Sequence, residues 1–259
     1  MELNKIYNMD CLEGLKLLEG NSVDLTITSP PYDGLRVYNG YSFDFESISK
    51  ELYRVTKDGG VVVWVVADET KNGCESLTSF KQALFFKEIG FNVETMIWEK
   101  QTFTATGALK YRYGQVFEYM FVLTKGKVKT FNPIKDRRNV SAGEVKHGTI
   151  RQKDGTTREI SSKGKKIGEY GQRFNVWRIN TEVSNKNRCH PAQFPEQLAE
   201  DHIKSWSNEN DIVMDIFMGS GTTAKMAIKN KRNFIGFEIS KEYCDIANER
   251  VRIALEEVK

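Results

Sequence analysis

The stretch Val23-Asp24-Leu25-Thr26-Ile27-Thr28-Ser29-Pro30-Pro31-Tyr32 decides the fold of this chain. Its apolar residues alternate up to Thr28, which predicts a strand with one apolar face. The strand must end at the two prolines, because proline cannot donate to a sheet ladder and fixes its own φ. Open α/β sheets bind ligands at the carboxyl ends of their strands, so this rigid turn is a candidate site.

The turn presents hydrogen-bond acceptors beside an aromatic face. Neither proline nitrogen carries a hydrogen, so the Ser29 hydroxyl and the Pro30 carbonyl are the groups it offers to a ligand. Tyr32 follows with a flat ring. Together they suit a planar ring that carries an exocyclic amino group. Taken alone, the pentapeptide is equally compatible with an ordinary proline turn and a surface tyrosine.

The remaining pattern predicts an α/β fold. Residues 61–67 are apolar at every position, which is typical of a strand in a parallel sheet covered by helices on both faces. Residues 91–98 and 116–124 predict two strands in succession without a helix, and hence an antiparallel hairpin at one edge of the sheet.

Charge is distributed unevenly along the 259 residues. Residues 125–188 hold 17 Lys and Arg against 6 Asp and Glu, a local net charge of +11, and the remainder carries −8. A basic segment on an acidic body indicates a region that contacts a polyanion. A solvated, partly disordered loop is the other interpretation of such a segment.

Cysteine usage and hydropathy predict a reduced, cytoplasmic protein without membrane contact. The four cysteines are scattered and form no C-x-x-C pair, and the longest apolar run, residues 61–67, is too short to span a bilayer. Cys189-His190 has no further Cys or His at ligand spacing, so no metal site is expected.

A second candidate site lies near the C-terminus. Residues 215–223, Asp-Ile-Phe-Met-Gly-Ser-Gly-Thr-Thr, predict a strand, a glycine turn and a helix start. Glu238 follows 17 residues after Gly221, at the end of the next predicted strand, where a carboxylate can accept both hydroxyls of a ribose. An ordinary βα connection explains the glycine turn equally well when it is considered alone.

In this order the motifs resemble the permuted β-arrangement of DNA amino-methyltransferases, which use S-adenosyl-L-methionine. Residues 28–32 match the catalytic motif of that family, and Asp215-x-Phe217-x-Gly219-x-Gly221 matches its cofactor motif. Residues 190–195 resemble the segment that packs near the methionine moiety of the cofactor, and Asp10-Cys11 resembles the acidic contact to its adenine. The resemblance covers residues 5–125 and 188–255.

The resemblance implies a Rossmann-like methyltransferase fold. Its sheet is seven-stranded and mostly parallel, with one antiparallel edge strand and helices on both faces, plus a basic target-recognition insert. On this basis residues 1–124 form the catalytic part, residues 125–188 the insert, and residues 189–259 the cofactor-binding part.

The implied site residues fall into three groups. The catalytic residues are Ser29, Pro30, Pro31 and Tyr32. The cofactor-binding residues are Asp10, Cys11, Phe194, Pro195, Asp215, Phe217, Gly219, Ser220, Gly221, Thr222 and Glu238. The nucleic-acid-binding residues are Arg36, Lys135, Arg137, Arg138, Arg151, Lys163, Lys165, Lys166 and Arg173.

The implied activity is methyl transfer to the exocyclic amino group of a flipped base in double-stranded DNA. Ser29 before the two prolines favours cytosine N4, whereas an aspartate there would favour adenine N6. Methylation of RNA or of a protein glutamine, a non-catalytic DNA-binding module and a nucleotide-binding oxidoreductase are the alternatives. The resemblance also implies a restriction-modification role, and it leaves open a homodimer and a cognate restriction endonuclease.

Overall fold

The structure is a computed structural model that describes residues 1–31, 43–100, 111–181 and 194–258. Tyr32, Arg36 and residues 189–193 therefore lie outside the described residues. None of the helices in the described ranges has the length and apolar character needed to cross a membrane.

The described chain contains six helices and fourteen strands. The helices are α1 (Cys11–Lys16), α2 (Phe45–Val55), α3 (Thr78–Glu88), α4 (Glu196–Trp206), α5 (Thr222–Lys229) and α6 (Lys241–Glu257). The strands of the main sheet are β1 (Lys5–Asn8), β2 (Val23–Thr28), β3 (Thr56–Val66), β6 (Phe91–Glu99), β7 (Phe117–Lys125), β12 (Val176–Arg178), β13 (Ile212–Asp215) and β14 (Asn233–Glu238). The short paired strands are β4 (Thr70–Lys71), β5 (Cys74–Glu75), β8 (Arg137–Arg138), β9 (Thr149–Arg151), β10 (Thr157–Glu159) and β11 (Tyr170–Gly171).

The main sheet confirms the expected mostly parallel α/β fold, with two differences in detail. Its order is β1-β14-β13-β2-β3-β7-β6-β12, so the described sheet has eight strands rather than seven. The antiparallel strand, β7, lies between β3 and β6 and not at the edge. The edge is occupied by β12, which pairs parallel with β6 and buries Trp177. A three-residue strand within a basic segment shows no periodicity from which the sequence could predict it.

Helices cover both faces of the sheet because β3 is apolar on both sides. One face packs Val62, Trp64 and Val66 against residues of α1, α2 and α3 in a single core cluster. The alternate residues of β3 point to the opposite face, where α4 and α5 pack. Asp10 is the N-cap of α1, since its side chain accepts hydrogen bonds from the amides of Leu12 and Glu13.

Residues Pro133–Phe174 form a separate compact unit, here called the ribbon. It is one long antiparallel ladder in which β8 pairs with β11 and β9 pairs with β10. Backbone hydrogen bonds continue the ladder between these pairs, from Gly143 to Ile167 and from Lys146 to Lys165, each at 2.9 Å. No residue of the ribbon is buried, so backbone pairing rather than a hydrophobic core gives it its order.

Two threonines lie on the same face of β2, but only one of their hydroxyls has a hydrogen-bond partner among the described residues. The Thr28 hydroxyl donates to Asp215 Oδ1 at 2.7 Å, whereas Thr26 Oγ1 is buried and finds no partner among the described residues. A buried hydroxyl without a partner costs about 1–3 kcal/mol. Thr26→Val should therefore raise the free energy of unfolding by about 1 kcal/mol, whereas Thr28→Val should lower it by about 1–3 kcal/mol.

Urea unfolding of the two variants beside the wild type measures this difference. The substitutions remove the same hydroxyl from the same strand, so each is the matched control for the other. If both variants were destabilised equally, the hydrogen bonding described for β2 would be wrong.

Candidate active site

The two predicted motifs meet at the point where the order of the sheet reverses. Strands β2 and β13 are parallel neighbours, and from them the chain proceeds to opposite sides, to β3 and to β14. A crevice opens at such a switch point outside the carboxyl ends of the strands. Ser29 follows β2 at this edge, and the glycine turn follows β13.

Asp215 joins the two motifs directly. Its carboxylate is 2% exposed and accepts three hydrogen bonds, from the Thr28 hydroxyl at 2.7 Å, the Thr223 hydroxyl at 2.7 Å and the Phe217 amide at 3.0 Å. Burial raises the pKa of Asp215 to about 6, although the three donors act to lower it. The carboxylate thus fixes the residue before Ser29 against the start of the glycine turn.

The predicted catalytic turn is only partly exposed. Ser29 and Pro31 are half-buried and Pro30 is buried. Tyr32, the fourth predicted catalytic residue, lies outside the described residues.

The turn after β13 uses backbone conformations that favour glycine. Gly219 and Gly221 have φ of 51° and 84°, in the left-handed region that side chains rarely adopt. A Cβ on Gly221 would lie 2.9 Å from Cβ of Ala247 in α6, so this glycine also permits close packing of the turn on the helix.

Glu238 closes the turn on its other side. Its Oε2 accepts the Gly219 amide at 2.7 Å and its Oε1 accepts the Ser240 amide at 2.8 Å. Burial raises the pKa of Glu238, and these backbone amides act to lower it. A carboxylate oxygen can accept a second hydrogen bond, so both oxygens still have room for a ribose hydroxyl. The residues present therefore fit the cofactor that the resemblance implies.

Asp10 and Cys11 lie at the same edge of the sheet. Strand β1 pairs parallel with β14, with Asn8 opposite Glu238, so the residues after Asn8 adjoin the residues after Glu238. Asp10 is exposed and caps α1 through one oxygen. Burial raises the pKa of Cys11 to about 12, so its thiol is neutral, and it packs in the hydrophobic core.

Three of the predicted cofactor residues also make packing contacts within the protein. The ring of Phe217 packs against those of Phe43 and Trp64, with centroids 5.7 and 6.5 Å away. Ser220 and Thr222 are buried, and the Arg250 guanidinium contacts both side chains.

Phe194 and Pro195 are buried at the start of α4, where Pro195 is the N-cap. The next residue, Glu196, accepts hydrogen bonds from Lys225 at 2.5 Å and from Arg250 at 2.8 Å. The sequence does not reveal this role of the two cations, because an isolated Lys or Arg on an amphipathic helix is part of no motif.

The predicted nucleic-acid residues of the ribbon divide into two groups. Arg137 donates to the Gln172 carbonyl and lies over the Phe174 ring, Arg173 pairs with Asp136, and Lys163 pairs with Glu159. The second group is exposed and forms no ion pair within the described part of the chain: Lys135, Arg138, Arg151, Lys165 and Lys166. This second group is therefore available to bind phosphate.

Solved structures of DNA methyltransferases share this architecture. The PvuII DNA methyltransferase (cytosine-N4-specific) superposes with a TM-score of 0.68 at 20% identity, over 98% of this chain and 91% of that one, a likeness of fold alone. The M1.HpyAVI–SAM complex superposes with a TM-score of 0.66 at 26% identity, over 95% and 98%.

Curated relatives extend the likeness to sequence. The orphan methyltransferase M.BamHII of Bacillus amyloliquefaciens is 57% identical over 239 residues, which cover 89% of each chain. The type II methyltransferase M1.MboII of Moraxella bovis is 31% identical over 261 residues, which cover 96% of each chain. Residues 23–249 match the N6_N4_Mtase family of DNA methylases, and the chain therefore belongs to this family of site-specific DNA methyltransferases, whose cofactor is S-adenosyl-L-methionine.

Proposed function

We propose that this enzyme methylates the N4 amino group of a cytosine that is flipped out of double-stranded DNA. The observation that carries the proposal is Ser29, a neutral acceptor beside Pro30 at the carboxyl end of β2. The hydrogen bond of Thr28 to Asp215 holds this turn next to the glycine turn of the cofactor site.

The exocyclic amino nitrogen is a poor nucleophile, and the site must make it more reactive. The lone pair of an exocyclic amino nitrogen is conjugated with its ring. Hydrogen bonds from its two N–H groups to the Ser29 hydroxyl and the Pro30 carbonyl favour a pyramidal nitrogen, which frees the lone pair. When bound, S-adenosyl-L-methionine would supply a methyl group activated by its sulfonium charge, with the C–S bond breaking as the N–C bond forms, S-adenosylhomocysteine as the leaving group and one proton of the amino group released to solvent. Correct placement of two reactants can lower a barrier by about 7–11 kcal/mol, so positioning accounts for most of the expected effect.

The base must first leave the duplex, which costs a few kcal/mol. Stacking on Tyr32 offsets roughly 1–3 kcal/mol of this cost, and contacts to phosphates contribute further. In this proposal the exposed cations of the ribbon supply the phosphate contacts. A two-stranded ribbon also has the dimensions to enter the major groove of B-DNA.

Adenine N6 is the second candidate target, because Ser29 accepts a hydrogen bond from either amino group. The DNA adenine methyltransferase YhdJ of Escherichia coli K12 is 28% identical to this chain, over 98% of this chain and 84% of its own length. A homodimer and a cognate restriction endonuclease stay predictions of the family resemblance.

The modified nucleoside distinguishes the two targets. DNA methylated by the purified enzyme, digested to nucleosides and separated by mass, should contain N4-methylcytosine and no N6-methyladenine. An unmethylated plasmid incubated without enzyme is the control. N6-methyladenine as the product would overturn the choice of base and leave the amino-methyl transfer intact.

Ser29→Ala should slow the chemical step. The Ser29 hydrogen bond meets a nitrogen whose charge changes during transfer, so it is worth more in the transition state than in the ground state. We expect a single-turnover rate on the order of ten- to a thousand-fold lower at saturating DNA and cofactor, with binding of both little changed. A wild-type rate in this variant would reduce Ser29 to a structural part of the turn.

The ribbon should give DNA binding a strong salt dependence. If the five predicted cations that are exposed and form no ion pair within the described residues each neutralise one phosphate, they contribute roughly −4 to −5 to the slope of log affinity against log salt. Replacing Arg151 and Lys166 with alanine should make that slope shallower by about 2. The matched control replaces Lys241 and Arg252 of α6, which are paired with acidic neighbours, and should leave the slope unchanged. Equal slopes in all three proteins, the wild type and the two double variants, would exclude the ribbon from phosphate binding.

A further inference from the structure

Arg250 of α6 contacts the cofactor turn from behind. One guanidinium nitrogen donates to the Ser220 carbonyl at 2.7 Å and to the Ser220 hydroxyl at 2.9 Å, and it lies 3.4 Å from the Thr222 hydroxyl. Ala247, one turn earlier on the same face of α6, is the residue against which Gly221 packs. Helix α6 therefore supports the glycine turn at two neighbouring points.

The same guanidinium reaches a second cofactor segment. Its other terminal nitrogen donates at 2.8 Å to Oε1 of Glu196, the residue that follows Phe194 and Pro195. Lys225 donates to the same oxygen at 2.5 Å. Partial burial acts to raise the pKa of Glu196, but the bonds from Lys225 and Arg250 lower it, so the carboxylate is ionised at neutral pH.

This arrangement needs an arginine. The planar guanidinium has donors in fixed directions, so it can hold a backbone carbonyl and a carboxylate at once, which a single ammonium cannot do in the same geometry. The side chain of Arg250 is only 18% exposed, so solvent screens these contacts less than those of a surface ion pair.

We propose that Arg250 is a positioning residue for cofactor binding, which holds the glycine turn and the Phe194–Pro195 segment in one fixed arrangement through Ser220 and Glu196. The inference rests on the proposed placement of the cofactor between these two segments. Arg250 itself touches the protein and not the reacting atoms. Its effect is to preorganise the site, so that binding does not have to order the two segments.

The expected signature is a change of affinity without a change of chemistry. Arg250→Met keeps the length of the side chain and removes the charge and all donors. The dissociation constant for S-adenosyl-L-methionine, measured by calorimetry without DNA, should rise about tenfold. That for S-adenosylhomocysteine should rise equally, because Arg250 does not sense the methyl group. At saturating cofactor and DNA the single-turnover rate should stay within about twofold of the wild type.

Four further variants separate positioning from a general effect on stability. Arg252→Met removes an exposed arginine from the same helix, where it pairs with Glu249 and Glu256, and should leave cofactor affinity unchanged. Arg250→Lys keeps the charge but only one of the two contacts, so its affinity should lie between those of Arg250→Met and the wild type. Glu196→Gln should weaken binding, and the double variant Glu196→Gln with Arg250→Met should be no weaker than Arg250→Met alone.

Wild-type affinity in folded Arg250→Met would overturn the inference, as would an equal loss in Arg252→Met. Thermal unfolding of each unliganded variant establishes that it is folded. If Arg250→Met does not fold, Arg250→Lys and Glu196→Gln decide the matter, and wild-type affinity in both would overturn the inference. The variant Gly219→Ala distinguishes an error in the role given to Arg250 from an error in the proposed cofactor site. If Gly219→Ala binds normally, the site itself is wrong; if only Gly219→Ala binds weakly, the role of Arg250 alone is wrong.

Discussion

The buried carboxylate of Asp215 is the constraint on which the rest of the site depends. Its bond to the Thr28 hydroxyl joins residues 187 positions apart in the chain. It also accepts the Thr223 hydroxyl and the Phe217 amide, so the end of β2, the glycine turn and the start of α5 share one acceptor. A carboxylate offers lone pairs to several donors, which no uncharged side chain of this size does in the same geometry.

This constraint has an energetic cost that varies with pH. Because the pKa of Asp215 is raised to about 6, the folded state holds this proton more tightly than the unfolded state. The contribution to stability therefore falls as pH rises from about 4 to about 6, and at neutral pH the ionised carboxylate costs about 3 kcal/mol. On the proposed assignment the site receives a cationic sulfonium cofactor, and a buried negative charge at its edge favours that ligand.

The sequence predicted the parts of the fold and site that depend on local pattern. The proline stop after β2 and the two-sided apolar strand β3 follow from periodicity and backbone restriction within a few residues. What it missed depends on distant partners. The strand β12 exists because β6 offers a free edge, and Arg250 matters only because α6 lies against the glycine turn. Neither contact produces a pattern in the neighbouring sequence from which it could be predicted.

The ribbon is under weaker packing constraints than the candidate active site. It buries no residue, so its side chains are under no packing constraint, and its ladder needs only backbone groups and turn glycines such as Gly155. Substitution of its exposed side chains therefore costs little folding free energy, whereas a change at Asp215 or Gly221 disturbs several contacts at once. On the proposed assignment, recognition of DNA sequence resides in the part of the chain that can change most freely. On the same assignment the chemistry resides in the part that can change least, because there each side chain serves several contacts at once.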